Sequence, residues 1–157
     1  MSSRFRLLTA TGVACLAAAT AQTARAQIQF GPQLNWASNG IGLGVGGRVE
    51  ASLAKAIPTV KGLGVMGAFN LYFPNGETGW GIDATGTYHF DIPTVKTIAP
   101  YVGAGLAILH GRRTGAGIDL IGGTQFPGLG AITPFAELRL VLVRSSSAFA
   151  LSGGVLF

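Results

Sequence analysis

The chain has one cysteine, Cys15, and none after it. Disulfide staples and thiol chemistry are therefore excluded for the body of the protein. Charge is scarce as well. Beyond residue 26 there are 8 Lys and Arg and 6 Asp and Glu among 131 residues, whereas about a quarter of a soluble domain is charged. The remaining balance of +2 gives no electrostatic reason for a nucleic-acid partner. After residue 26 no apolar run reaches the ~18–20 residues that a membrane-spanning helix needs. The two histidines, His89 and His110, have no second ligand at metal-site spacing, so no metal or other cofactor is expected. "GIGLGVGG" is rich in glycine, but it lies within an alternating segment and opens no helix, so it is not a nucleotide loop.

The first 26 residues have their own logic. Arg4 and Arg6 precede an apolar stretch from Leu7 to Ala19, followed by the small-x-small site Ala24-Arg25-Ala26. This pattern predicts a secretory signal peptide over 1–26, cleaved after Ala26, and a single domain over 27–157. Its apolar stretch is too short to anchor the chain in a bilayer. Gly12 stands three before Cys15, where a lipoprotein signal would carry a large aliphatic residue. Arg4, Arg6 and Arg25 leave with the signal, which lowers the net charge of the whole chain from +5 to +2.

What is abundant is glycine, 25 residues, and period-2 alternation. The last residues read Phe149, Leu151, Gly153, Val155, Phe157 on one face and Ala148, Ala150, Ser152, Gly154, Leu156 on the other. Comparable segments lie at about 27–36, 41–53, 63–73, 80–90, 100–109, 117–126 and 132–143, giving eight strands in all. Most run to ~9–11 residues, the length of a tilted membrane-spanning strand. Asn39-Gly40 and Pro74-Asn75-Gly76 are hairpin turns. "IPTVK" occurs at Ile57–Lys61 and at Ile92–Lys96, and "IAPYVGAGLAI" from Ile98 is echoed by "ITPFAELRLVL" from Ile132. A period near 35 suits one hairpin with its connections, hence four hairpins. Pro32 sits where a closed ladder wants a donor, and predicts either a bulge or a strand that starts just after it.

The polar faces decide which side is outside. A soluble barrel would cover its exterior with Lys and Glu, yet these faces carry Gly, Ser, Thr, Gln and Asn with a few charges of both signs. They fit a narrow interior in which Arg48, Glu50, Asp83, Asp119, Glu137 and Arg139 pair with one another. With both termini on one side, Trp36, Phe69, Phe73, Trp80 and Phe149 gather toward the far end. Phe30, Tyr88, Phe90, Phe126 and Phe157 gather toward the near end, which makes two aromatic girdles. The fold class is therefore all-β: an eight-stranded antiparallel up-and-down transmembrane β-barrel.

Eight strands leave an interior that side chains just fill, so a wide porin channel is excluded. Gly42, Gly44, Gly46, Gly103 and Gly105 face inward and are read as permitting close packing; a local cavity or a thread of water is the other reading. His89 has threonine neighbours, and His110, placed in the loop "HGRRTGAG", has no adjacent serine. Neither makes a nucleophile–base arrangement. Arg112, Arg113 and Arg144 fall on outward loops where they could meet lipopolysaccharide phosphates. Lys55, Lys61 and Lys96 read as solvated turn charges.

The chain resembles the small outer-membrane β-barrel proteins of Gram-negative bacteria, of the outer membrane protein A/X/W type. The leader, "PYVGAG" of Pro100–Gly105, "PFAELRL" of Pro134–Leu140 and the alternation ending at Phe157 carry the resemblance. It implies a location in the outer membrane with both termini periplasmic, and contact with outer-membrane lipid and lipopolysaccharide. It also implies that the last strand, through Phe149, Leu151, Val155 and Phe157, is an assembly signal for the barrel-assembly machinery. The expected function is a monomeric, non-catalytic barrel with a structural or membrane-integrity role. The alternatives are a narrow passive channel for very small or apolar solutes, and a lipid-modifying enzyme using His89.

Overall fold

The structure is a computed structural model that describes residues 28–74, 78–111, 114–127, 130–143 and 146–157. The leader, the turn residues Asn75 and Gly76, and Arg112, Arg113 and Arg144 lie outside the described residues.

Eight strands follow one another: β1 Ile28–Ala37, β2 Gly42–Ser52, β3 Leu63–Tyr72, β4 Gly79–His89, β5 Ala99–His110, β6 Thr114–Gln125, β7 Thr133–Val143 and β8 Ser146–Leu156. Each pairs antiparallel with its sequence neighbour, and β8 returns to β1, so the sheet closes into a barrel. No described helix is long and apolar enough to cross a membrane; crossing falls to the strands.

Local chemistry sets the hairpins. Ser38-Asn39-Gly40-Ile41 joins β1 to β2, with φ of 59° at Asn39 and 77° at Gly40. Two consecutive left-handed residues make the turn whose twist matches that of paired strands, and Asn-Gly is the pair that tolerates it. The connections are unequal. At the end of the barrel opposite the chain termini they span 38–41, 73–78, 111–113 and 144–145; at the termini end they span 53–62, 90–98 and 126–132.

Two sequence expectations need correction. Pro32 marks no bulge and no strand start: β1 pairs with β2 without interruption, Pro32 opposite Gly47. The proline sits instead at the closing seam. The β1–β8 ladder runs from Gln33–Gly154 to Ala37–Ala150, and Phe30 and Phe157 exchange backbone hydrogen bonds of 3.3 and 2.9 Å in the same register. Between them Pro32 has no N–H to offer Val155, so the seam is the thinnest ladder of the barrel. His110, expected in a loop, is the last residue of β5. It pairs with Thr114, because β5 and β6 are separated by only three residues and the ladder persists into a string rich in glycine and arginine that reads as loop.

Side-chain alternation follows the expected faces on every strand. Leu34, Leu43 and Leu106 point outward and are 68–69% exposed, whereas Arg48, Asp119 and Glu137 point inward and are at most 2% exposed. An apolar exterior around a charged interior is the reverse of a soluble barrel and is the arrangement hydrocarbon demands. The molecule has the fold of a transmembrane β-barrel.

Candidate functional site

The interior is the one place where the barrel concentrates chemistry. Arg48 enters from β2. Its Nη1 donates to Glu137 Oε2 at 2.9 Å, and its Nη2 donates to the Tyr101 hydroxyl at 3.1 Å and pairs with Glu50. Tyr101 passes its own proton on, donating to Glu137 Oε2 at 2.8 Å. The guanidinium also lies over two rings, 4.3 Å from the centroid of Phe135 and 5.3 Å from that of Tyr101. Arg139, from β7, donates through Nη2 to Glu137 Oε1 at 2.9 Å. Its Nη1 pairs with Asp83 and lies 3.4 Å from Asp119 Oδ2. Thr85 donates to Asp119 at 3.0 Å, and Gln125 donates to Glu50 at 2.7 Å.

The six charged residues singled out in the sequence thus form one network with Glu137 as its bridge. It ties β2, β4, β6 and β7 together across the lumen. Asp83 Oδ1, Asp119 Oδ1, Arg48 Nε and Arg139 Nε have no protein hydrogen-bond partner.

On the side of this layer away from the termini the lumen is filled. Gln33 and Asn35 both donate to Asn70 Oδ1, at 2.6 and 2.8 Å. Beyond them, toward the β1–β2 hairpin, Ala37, Tyr72 and Ala150 pack with Ile41 and Leu109. The inward glycines make room for these groups. A Cβ at Gly44 would stand 2.7 Å from the Tyr72 ring, one at Gly103 2.9 Å from Ile121, and one at Gly123 2.6 Å from the Tyr101 hydroxyl. At these three positions a side chain would collide with its neighbours, whereas at Gly42 it would meet only ordinary contacts and the glycine serves a φ of 76°.

At the termini end the lumen opens into a polar pocket of about 200 Å³, lined among others by Gln29, Glu50, Ser52, Thr87, His89 and Gln125. The His89 ring stacks on Tyr101 with centroids 5.1 Å apart. Among the described residues it has no hydrogen-bonded hydroxyl. Nor does any described cluster of three or more His, Cys, Asp and Glu form a metal site.

Outside, aromatic residues meet near the strand ends. Phe30 and Phe157 approach to 6.5 Å and Tyr88 and Phe90 to 5.2 Å at the termini end; Trp80 stacks on His110 at 5.2 Å at the other. Trp36, Phe73, Phe126 and Phe149 are exposed on the same surface. Phe69 shares an exterior groove of about 760 Å³ with Phe30, Phe157, Gly47 and Gly67. Phe149, Leu151 and Phe157 are exposed on the outer face of the last strand, with Val155 half-buried beside them.

The sequence singled out charges and missed their neutral partners. Tyr101, Thr85, Gln125 and Phe135 complete the network, and the signal for them was there: each occupies an inward position of its own strand. Pairing across the lumen carries no such signal, since Arg48 and Glu137 are 89 residues apart.

Solved structures of similar shape include natural and designed barrels. The N-terminal β-barrel domain of Pseudomonas aeruginosa OprF superposes with a TM-score of 0.64 at 15% identity, over 83% of this chain and 95% of that one. Neisserial surface protein A gives 0.57 at 20% identity, over 82% and 94%. A de novo designed transmembrane β-barrel gives 0.61 at 10% identity, over 85% and 97%. No protein-family model matches the sequence, and no curated protein matches it. A fold shared equally by natural and designed barrels carries no activity by itself.

Proposed function

We propose that the chain is a monomeric integral barrel of the outer membrane, with a structural or membrane-integrity role, no catalytic activity and both termini in the periplasm. The observation that carries this reading is the filled lumen. A crossed network of two guanidiniums and four carboxylates, backed by Tyr101 and Phe135, occupies the middle of the barrel. The surface that remains is apolar and suited to lipid. The outer-membrane structures of the same shape, OprF's barrel domain and neisserial surface protein A, support the location. Arg112, Arg113 and Arg144, on the short connections opposite the termini, are proposed to meet lipopolysaccharide phosphates. The outward residues of β8 are proposed to be read by the barrel-assembly machinery.

The second reading, a narrow passive channel, is favoured by the polar pocket at the termini end and by the polar atoms of the network that have no protein partner. Planar-bilayer recording separates the two. The filled lumen predicts no resolved conductance steps at neutral pH in 1 M KCl; reproducible steps would make the channel the better account. The enzymatic reading has little to rest on, since His89 is engaged with an aromatic ring rather than a hydroxyl.

A further inference from the structure

All three lysines of the chain lie at one rim of the barrel. Lys55 and Lys61 are in the connection 53–62, and Lys96 is in the connection 90–98. All the arginines lie elsewhere in the sequence, either before residue 26, in strands, or in connections of the opposite end. Asp91 is the single acid in the three connections of this rim.

The two lysine-bearing connections are copies of one another in structure as well as in sequence. Ile57-Pro58-Thr59-Val60 is closed by Val60 N–H donating to the Ile57 carbonyl at 3.0 Å, and Ile92-Pro93-Thr94-Val95 by the same bond, also 3.0 Å. Proline in the second position pre-sets each turn. Each turn then presents an isoleucine and a valine to the outside, Ile57 and Val60 at 40 and 37% exposure, Ile92 and Val95 at 39 and 40%. Four apolar side chains are thus partly exposed at the rim that carries the lysines.

Their position explains them. The second connection begins at Phe90, whose ring meets Tyr88 edge-on at the base of the lipid-facing wall. The turns thus continue the apolar surface of the barrel past the ends of its strands, and the lysines stand beside that continuation. We infer that this rim is a docking surface for anionic phospholipid headgroups of the leaflet at the termini end. The Ile–Val pairs enter the interfacial zone, and Lys55, Lys61 and Lys96 pair with lipid phosphates. This use also accounts for connections of the length of 53–62 and 90–98 where 38–41 suffices to turn a hairpin at the opposite end. The inference rests on the barrel residing in a bilayer, and the test reads that separately.

The probe is a single tryptophan. Ile57→Trp is made in a Trp36→Phe/Trp80→Phe background and folded into phosphatidylcholine vesicles containing phosphatidylglycerol, with one or the other lipid brominated. Expected are blue-shifted emission and stronger quenching by brominated phosphatidylglycerol. That preference should fall about fivefold for each of Lys55, Lys61 and Lys96 changed to Gln, the effect of one basic residue near an anionic surface. Water-like emission unquenched by either lipid, or equal quenching by both, would overturn the inference. The native Trp36 and Trp80, quenched by both lipids in the unaltered chain, report insertion itself. A second measurement needs no substitution: amine acetylation of the three lysines, followed by mass spectrometry. Acetylation should slow several-fold in phosphatidylglycerol-containing vesicles relative to pure phosphatidylcholine, and equal rates would contradict the surface.

Discussion

At the scale of the residue, Glu137 is the keystone. It receives Arg48 on one oxygen and Arg139 on the other, and Tyr101 as well. Removing one partner of a buried pair costs more than the pair contributes, because the survivor keeps its charge without compensation. Arg48→Met should therefore destabilise the folded barrel by about 3–5 kcal/mol. Arg48→Met with Glu137→Gln should cost less than the two single changes summed, with a coupling of about 0.5–3 kcal/mol. Urea titration of the protein in vesicles, followed by tryptophan emission, measures both. The cycle also shows what the sequence could tell. Alternation placed Arg48 and Glu137 inside the barrel, since period 2 is a local property. It could not match one to the other, because the partner is set by the stagger of eight strands around the barrel. Alternation along β5 puts Tyr101 on the inward face for the same reason, but nothing in its neighbourhood announces that it serves both Arg48 and Glu137.

At the scale of the element, the seam between β1 and β8 is the weak point. Pro32 interrupts its ladder between the Phe30–Phe157 pair and the Gln33–Gly154 pair. Pro32→Val restores the missing N–H opposite Val155 without changing the outward, apolar character of the site. It should raise stability by about 0.5–1.5 kcal/mol, the net worth of one hydrogen bond, read as a higher urea midpoint with an unchanged slope. One residue earlier on the same strand, Gly31 faces the Val155 carbonyl so closely that any Cβ would strike backbone. Gly31→Ala should lower the midpoint, by about 1–3 kcal/mol for an overpacked contact. Elements were legible where turn chemistry is local, as at Asn39-Gly40 with its two positive φ angles. Pro32 was misread because a proline in a closed ladder suggests a bulge. Only the register reveals that its bare nitrogen faces the closing strand, where the chain can tolerate it. His110 was misread because "HGRRTGAG" looks like a loop, whereas a three-residue connection lets β5 and β6 stay paired up to His110 and Thr114.

At the scale of the whole molecule, the barrel has two unlike ends. The connections at the termini end are the longer ones and hold every lysine; those opposite are short. Outer-membrane barrels ordinarily carry short periplasmic turns and longer external loops, so the proposed orientation makes this chain an exception. The sequence beyond residue 15 has no cysteine, which makes the orientation easy to read. Gly111→Cys, at a site where a side chain meets nothing, should react with a membrane-impermeant maleimide in intact cells. Thr59→Cys, in the connection at the termini end, should react only after the outer membrane is opened. The reverse pattern would place the lysine rim outside the cell.

Beneath all of this lies one claim: that the apolar face is the outside of a closed barrel and the charges are its interior. The most direct test compares unboiled and boiled samples of the detergent-folded protein on one gel, with far-ultraviolet circular dichroism of the unboiled sample. The account predicts β-rich dichroism and a mobility shift on boiling, as a compact barrel opens. A chain that is monomeric and folded in buffer without detergent, with one mobility in both samples, would contradict it.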